Sequence, residues 1–345
     1  MTSALLDFEL PATLAATAPP EARGLQRDEV RMLAYELRTG RMVHARFNQL
    51  IDYLRSGDAV VVNVSRTLPA ALDACTTDGR RVVVHLSVPL PGGLWTLEVR
   101  TTAGFGTVPG PSLEPQVLEV ASGGSIHLLA LHLRSPRLWV ASLDLPGGVV
   151  EFLATHGRPI RYGAAAESRP LEDYQTVFAT EPGSAEMASA GRPFTPEVLV
   201  ALMANGVAVL PIVLHCGVAS FEAGEIPGEE RYRVPAATAT VANSLRRSGG
   251  RVIAVGTTVV RALETVADGD GLLHPGEGYT DLVISPGNRV GSVDGLLTGW
   301  HGPGASHLGL IEAFAGRENS ERMYRAAIEA GYLWHEFGDV CLILP

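Results

Sequence analysis

The chain of 345 residues contains no lysine, so all 27 of its basic side chains are arginines. No Schiff base or tuned amine is available to it. Any side-chain grip on phosphate or carboxylate must come from guanidinium forks, which suit two-point contacts. Cysteine is scarce. Cys75, Cys216 and Cys341 are widely spaced and odd in number, which argues against a disulfide framework and against a Cys-x-x-Cys metal site. Long apolar runs are missing too. Val207–Leu214 and Val340–Leu344 are far shorter than the ~18 residues a membrane helix needs. Met1–Leu10 carries Asp7 and Glu9 and lacks the positive start of a secretion signal, so a cytoplasmic location is expected. No P-loop, GxGxxG, HExxH or GxSxG occurs. The net charge of −10 disfavours tight nucleic-acid binding except through a local basic patch.

What is present organises into two textures. Val30–Leu37, Thr39-Gly40 and Met42–Phe47 read as two strands around a tight turn. Asn48–Leu54 reads as a short helix, and Ala59–Val64 as a strand covered on both faces. Between about Leu68 and Val150 the character changes. Arg81–Val88, Leu94–Thr101, Val117–Val120, Ile126–His132 and Leu138–Ala141 are short β-rich pieces separated by Gly and Pro turns, the pattern of a small antiparallel barrel or sandwich. From Val149 strands and helices alternate. Helices are expected over Thr195–Asn205, Pro235–Arg247, Val259–Val266, Leu308–Gly316 and Ser320–Ala330. Strands are expected over Val207–Leu214, Val252–Val255, Leu282–Ile284 and Val340–Leu344. The expected fold is therefore an α/β domain with a mostly parallel or mixed sheet, built from residues 1–68 and 150–345 and interrupted by an inserted antiparallel β-barrel at 69–149.

Three segments carry candidate chemistry. Gly256-Thr257-Thr258 follows an apolar strand and opens a helix, so free backbone N–H groups and the helix dipole face whatever lies beyond the strand end, with Arg261 one turn inside. The same residues also suit a plain glycine turn with a capping threonine. His215 stands at the end of a buried strand, before Cys216-Gly217-Val218-Ala219-Ser220-Phe221. A histidine there suits proton transfer near neutral pH, or equally a structural hydrogen bond. Asp281, Asp294 and His301 lie in glycine-rich loops around one short strand. The other histidines form no metal pattern, and no metal is expected.

The blocks also carry a resemblance. Asp7-Phe8-Glu9-Leu10-Pro11 with Pro19-Pro20-Glu21-Ala22-Arg23, then Gly57–Asn63 followed by Ser65-Arg66, resemble the opening and the "GDxxVxNxTR" block of the S-adenosylmethionine:tRNA ribosyltransferase-isomerase family of queuosine biosynthesis. Tyr174–Ala179 resembles its "YQTVYA", Gly256–Glu264 its "GTTSVRTLE", Gly278–Asp281 its "GWTD", and Val293–Thr298 its "VDGLLT". The match runs in order along essentially the whole chain. It implies an α/β domain interrupted by a β-barrel. It implies transfer and isomerisation of the ribosyl part of S-adenosylmethionine, the co-substrate, onto 7-aminomethyl-7-deazaguanine in tRNA, without a metal and with loss of adenine and methionine. Gly256, Thr257, Thr258, Arg261, Arg66 and Asn63 then become the candidate S-adenosylmethionine contacts, and His215, His301, Asp281 and Asp294 the candidate acid-base groups.

The chain departs from the family pattern at several points. Pro193 stands where "PTAGLHFT" has a histidine, and Gly228–Val234 is shortened and lacks another. Gly299 and Gly304 replace the asparagine and lysine of "TNFHLPKST". These changes keep two alternatives open: a relative using S-adenosylmethionine on a small-molecule acceptor or in another cleavage, and a non-catalytic S-adenosylmethionine-binding protein.

Overall fold

The computed structural model describes residues 6–163, 167–218 and 228–345. Its strands are β1 Arg31–Glu36, β2 Arg41–Arg46, β3 Ala59–Asn63, β4 Ser65–Thr67, β5 Ala71–Cys75, β6 Arg81–Pro89, β7 Leu94–Ala103, β8 Gly106–Pro109, β9 Val117–Val120, β10 Ser125–Leu131, β11 Leu138–Asp144, β12 Glu181–Ser184, β13 Ala208–Leu214, β14 Glu230–Val234, β15 Val252–Val255, β16 Gly276–Thr280, β17 Gly295–Gly299 and β18 Val340–Leu344. The helices are α1 Val149–His156, α2 Pro196–Ala204, α3 Ala236–Arg247, α4 Thr257–Val266, α5 Ser306–Ala315 and α6 Arg317–Glu329.

A nine-stranded mixed sheet runs β16-β14-β13-β3-β15-β17-β18-β1-β2. Strands β13, β3, β15 and β17 are parallel neighbours at its centre. Their side chains alternate between two apolar layers. Ala59, Val61, Val252 and Ala254 face one core with the buried side of α4. Val60, Val62, Ile253 and Val255 face the other, with Phe47, Phe194 and Leu202. This double coverage is why β3 reads as an unbroken apolar run.

The second unit is an antiparallel barrel. Its strands follow the order β11-β10-β9-β5-β6-β7, the β7–β11 pairing closes the ring, and β8 adds to β7. Alternate residues fill its interior, among them Val82, Val84, Leu97, Leu118, Ile126 and Trp139. The chain downstream of β11 contributes as well. Phe152, Leu153 and Ile160 join this core. Residues 158–163 then run along the barrel edge: Ala71 and Arg158 exchange backbone hydrogen bonds at 2.9 and 3.0 Å, and Thr107 does so with Arg161 and Gly163 at 3.0 and 2.8 Å.

Two local expectations need correction. Leu282–Ile284 is not a strand; the strand ends at Thr280, and Leu282 instead turns its carbonyl toward Arg261. The segment around Asp294 is not a loop alone, because Gly295–Gly299 is a central strand. Gly295 is glycine for a packing reason: a Cβ there would lie 3.0–3.2 Å from Ile253, Leu344 and the Ile343 carbonyl. The turn-like composition therefore conceals a strand.

Candidate active site

A deep cleft lies between the sheet and the barrel. The main domain supplies Glu186–Ala190, Cys216–Val218, Glu230, the start of α4, Leu282–Ile284, Thr298, Gly299, His301 and His307. The barrel supplies Ser87, Val88, Thr96, His132, Ser135 and Arg137. This is the crevice beyond the carboxyl ends of parallel strands, where α/β proteins bind ligands.

Its floor is the β15–α4 junction. Gly256 caps α4 at φ +96° and ψ 153°, a backbone conformation that glycine adopts freely and residues with a Cβ rarely do. The first turn of α4 then presents its N–H groups to the cleft. Two polar atoms beside this turn, Thr258 Oγ1 and Arg261 Nη2, are buried and lack a partner among the described residues. The rest of Arg261 is fixed: Nε donates to the Leu282 carbonyl at 2.9 Å, and Nη1 is paired with Glu230. Glu230 also accepts from the Gly217 N–H at 2.8 Å. A buried guanidinium oriented on two sides and open on the third suits a carboxylate ligand.

Above the floor stand two imidazoles. The rings of His301 and His307 stack with centroids 4.3 Å apart and planes 1° from parallel. His301 Nε2 lies 3.2 Å from Thr298 Oγ1, whose own hydroxyl donates to the Gly299 carbonyl. Burial, then His307 and His335, hold His301 well below its usual pKa. Burial, then Arg261, lowers His307 to about 4. Both are neutral near pH 7.

The remaining sequence candidates lie elsewhere. Asn63 is fully buried: its amide donates to the Leu214 carbonyl at 2.8 Å, and its oxygen accepts from Leu214 and Ser65 N–H groups. It joins β3 to β13 and lies outside the cleft lining. Arg66 is exposed on β4, outside the cleft lining. Asp294 also lies outside the lining, bonded to Arg246 and to the Val252 N–H at the start of β15. Asp281 is half-exposed and paired with Arg134 of the barrel, which holds its carboxyl below the usual range. His215 bonds Ser65 Oγ through Nδ1 at 2.7 Å, and its ring packs on Gly183, where any Cβ would fall 2.4 Å from it. Burial, then Arg231 and Arg233, lowers its pKa to about 4. Cys216 does line the cleft, but burial pushes its thiol up, which removes thiolate character. Ala219-Ser220-Phe221 lie outside the described residues. Of the ten candidates, Gly256, Thr257, Thr258, Arg261 and His301 come together in the cleft.

Sequence reasoning missed Glu230, His307 and the barrel wall. Glu230 was accessible in principle. In Glu230–Val234 the arginines alternate with Glu230, Tyr232 and Val234, and a buried Arg261 requires a counter-charge. His307 sits one residue before the helix start that apolar spacing suggests, so periodicity passes over it. Pro193, which stands in place of a family histidine, is buried outside the cleft lining. No group of three His, Cys, Asp or Glu among the described residues is placed to hold a metal ion.

Fold and cleft together define a barrel-inserted α/β protein with an unpartnered guanidinium nitrogen at a helix start beside a stacked histidine pair. The queuosine biosynthesis protein family model matches residues 3–343, and the chain belongs to that family. It is 36% identical to the S-adenosylmethionine:tRNA ribosyltransferase-isomerase of Moorella thermoacetica, over 98% of both chains. It is 34% identical to that of Heliobacterium modesticaldum over the full length of both. A crystal structure of S-adenosylmethionine tRNA ribosyltransferase from Thermotoga maritima superposes with a TM-score of 0.54 at 29% identity, covering 98% of this chain and 99% of that one.

Proposed function

We propose that this chain transfers and isomerises the ribosyl part of S-adenosylmethionine onto the amine of 7-aminomethyl-7-deazaguanine in tRNA, releasing adenine and methionine. The observation that carries the reading is the open side of Arg261: buried Nη2 and Thr258 Oγ1 lack partners among the described residues, in the same cleft that holds a neutral histidine pair. In this assignment Arg261 and the α4 N-terminus grip the methionine carboxylate. Thr258 adds a hydrogen bond. His301 removes a C5′ hydrogen beside the sulfonium, leaving the electron pair on carbon and carrying the proton on Nδ1. The tRNA base approaches along the barrel wall formed by Ser87, Thr96, Ser135 and Arg137. No step calls on a metal. No helix among the described residues is long and apolar enough to cross a membrane; a tRNA acceptor would place its action in the cytoplasm.

The inserted unit is proposed to begin at residue 69 and to extend past 149 to about 163, because Phe152, Leu153 and Ile160 pack inside the barrel.

The test is incubation of the protein with S-adenosylmethionine and tRNA bearing the deazaguanine amine. Release of adenine together with a modified nucleoside is expected; folded protein that releases none refutes the reading. One observation favours a different acceptor with the same donor. At Gly299, which lines the cleft where the family carries asparagine, a Cβ would meet nothing within 4 Å, so the cleft has open space in place of a polar side chain. Product profiling in cell extract with the RNA digested away separates the two, since only a small-molecule acceptor survives that treatment.

A further inference from the structure

The cleft contains one proton-handling device with two parts. His301 occupies the loop after β17, and His307 the first turn of α5. The rings lie face to face at 4.3 Å with a 1° tilt, so each fixes the plane of the other. His301 is also held at one edge of its ring: Thr298 Oγ1 lies 3.2 Å from its Nε2 and 3.2 Å from the Gly299 carbonyl. Nδ1 is the nitrogen on the other side, and a base role there requires the tautomer with hydrogen on Nε2. The backbone of His301 is held as well, because Trp334 Nε1 donates to its carbonyl at 3.1 Å.

Among the described residues, the charged and titratable groups facing the pair come from three sides. His307 lies on α5, His335 in the turn before β18, and Arg261, tied to Glu230, on α4. None of these is an anion free to stabilise an imidazolium, since Glu230 is already engaged. His335 has the only positive φ of a non-glycine residue among the described residues, at 76°. Such strain persists where the surroundings over-determine a conformation. Two imidazoles at this separation also resist double protonation, because the charges would face each other in a partly dry site.

We infer that His307 is a positioning residue for the reaction: its stacked ring aims His301 Nδ1 at the substrate and confines the pair to one added proton. During turnover that proton arrives on Nδ1 from substrate carbon and leaves to water or product. His307 itself exchanges nothing. The inference rests on the proposed reaction, yet part of its test does not.

The experiment compares His307→Phe and His307→Ala with the parent protein. Phenylalanine keeps the stacked face, whereas alanine admits water. Adenine release is measured across pH, together with KM. His307→Ala is expected to lose roughly 10- to 100-fold in kcat, with little change in KM, and its acid limb is expected to move up by about one pH unit. His307→Phe is expected to recover most of kcat and keep the low limb. In parallel, histidine ring resonances in labelled protein without substrate report the pair directly. The parent His301 signal is expected to titrate well below the ordinary histidine value of 6.5 and to rise by about a unit in His307→Ala. An unmoved limb and an unmoved resonance in folded His307→Ala overturn the inference, as does a His307→Phe variant no better than alanine. If the parent releases no adenine, the proposed reaction fails, while the resonance titration still decides whether His307 governs His301.

Discussion

Arg134 of the barrel and Asp281 of the main domain meet at 2.7 Å beside the cleft, each side chain about half-exposed. Asp281 is thus a tie between the two walls, held ionised by its partner.

Asp281→Asn is therefore expected to leave the denaturation midpoint within error, since an exposed ion pair contributes little to stability. Turnover should fall by less than about threefold, because a carboxylate held ionised is a poor proton donor. Steady-state kinetics check this. A hundredfold loss in kcat would put Asp281 in the chemistry.

Arg261→Gln removes the open Nη2 and the pair with Glu230. Hydrogen bonds to charged groups contribute about 1.5–3 kcal/mol, so the Kd for S-adenosylmethionine is expected to rise roughly 10- to 150-fold. Calorimetry measures it, and an unchanged Kd would place the carboxylate elsewhere.

Asn63→Ala leaves the Leu214 carbonyl and two N–H groups without their buried partner. Stranded groups cost about 1–3 kcal/mol each, so urea denaturation should reveal a loss of several kcal/mol. The KM for S-adenosylmethionine in surviving protein should stay level, which separates a structural amide from a ligand-binding one.

His215 supplies a pH signature of stability. Its folded pKa, about 4, lies below the ordinary value of 6.5. Between these values the unfolded chain binds the additional proton. Stability is complete above pH 6.5 and declines as pH falls toward 4, by about 1.4 kcal/mol per pH unit for this group. His215→Asn is expected to flatten that slope by about one proton. An identical slope in the variant would show that the ring is protonated in the native state.

Much of this was legible beforehand where one local rule dominates. The unbroken apolar runs of β3 and β15 and the Gly-Thr-Thr entry into α4 marked the cleft floor, and Gly/Pro spacing marked the barrel. What stayed hidden depends on distant contacts. Asn63 and Arg66 sit side by side in one family-like block, yet one is sealed between strands and the other faces solvent. Asp294 and His301, seven residues apart, occupy opposite ends of β17. His307 acquires meaning only through a ring stacked on it from another element. Strand β5 and strand β8 carry too little patterning of their own, being defined by neighbours.

The return of residues 158–163 along the barrel has a consequence for synthesis on the ribosome. Both Ala71 and Thr107 wait for partners that emerge some 50 to 90 residues later, so the cylinder stays unsealed while its own strands are already available. A fragment cut after β11 would expose two raw seams and three missing apolar plugs, and would stick to its copies rather than stand alone. Grafting this module into another protein would mean carrying the strap with it.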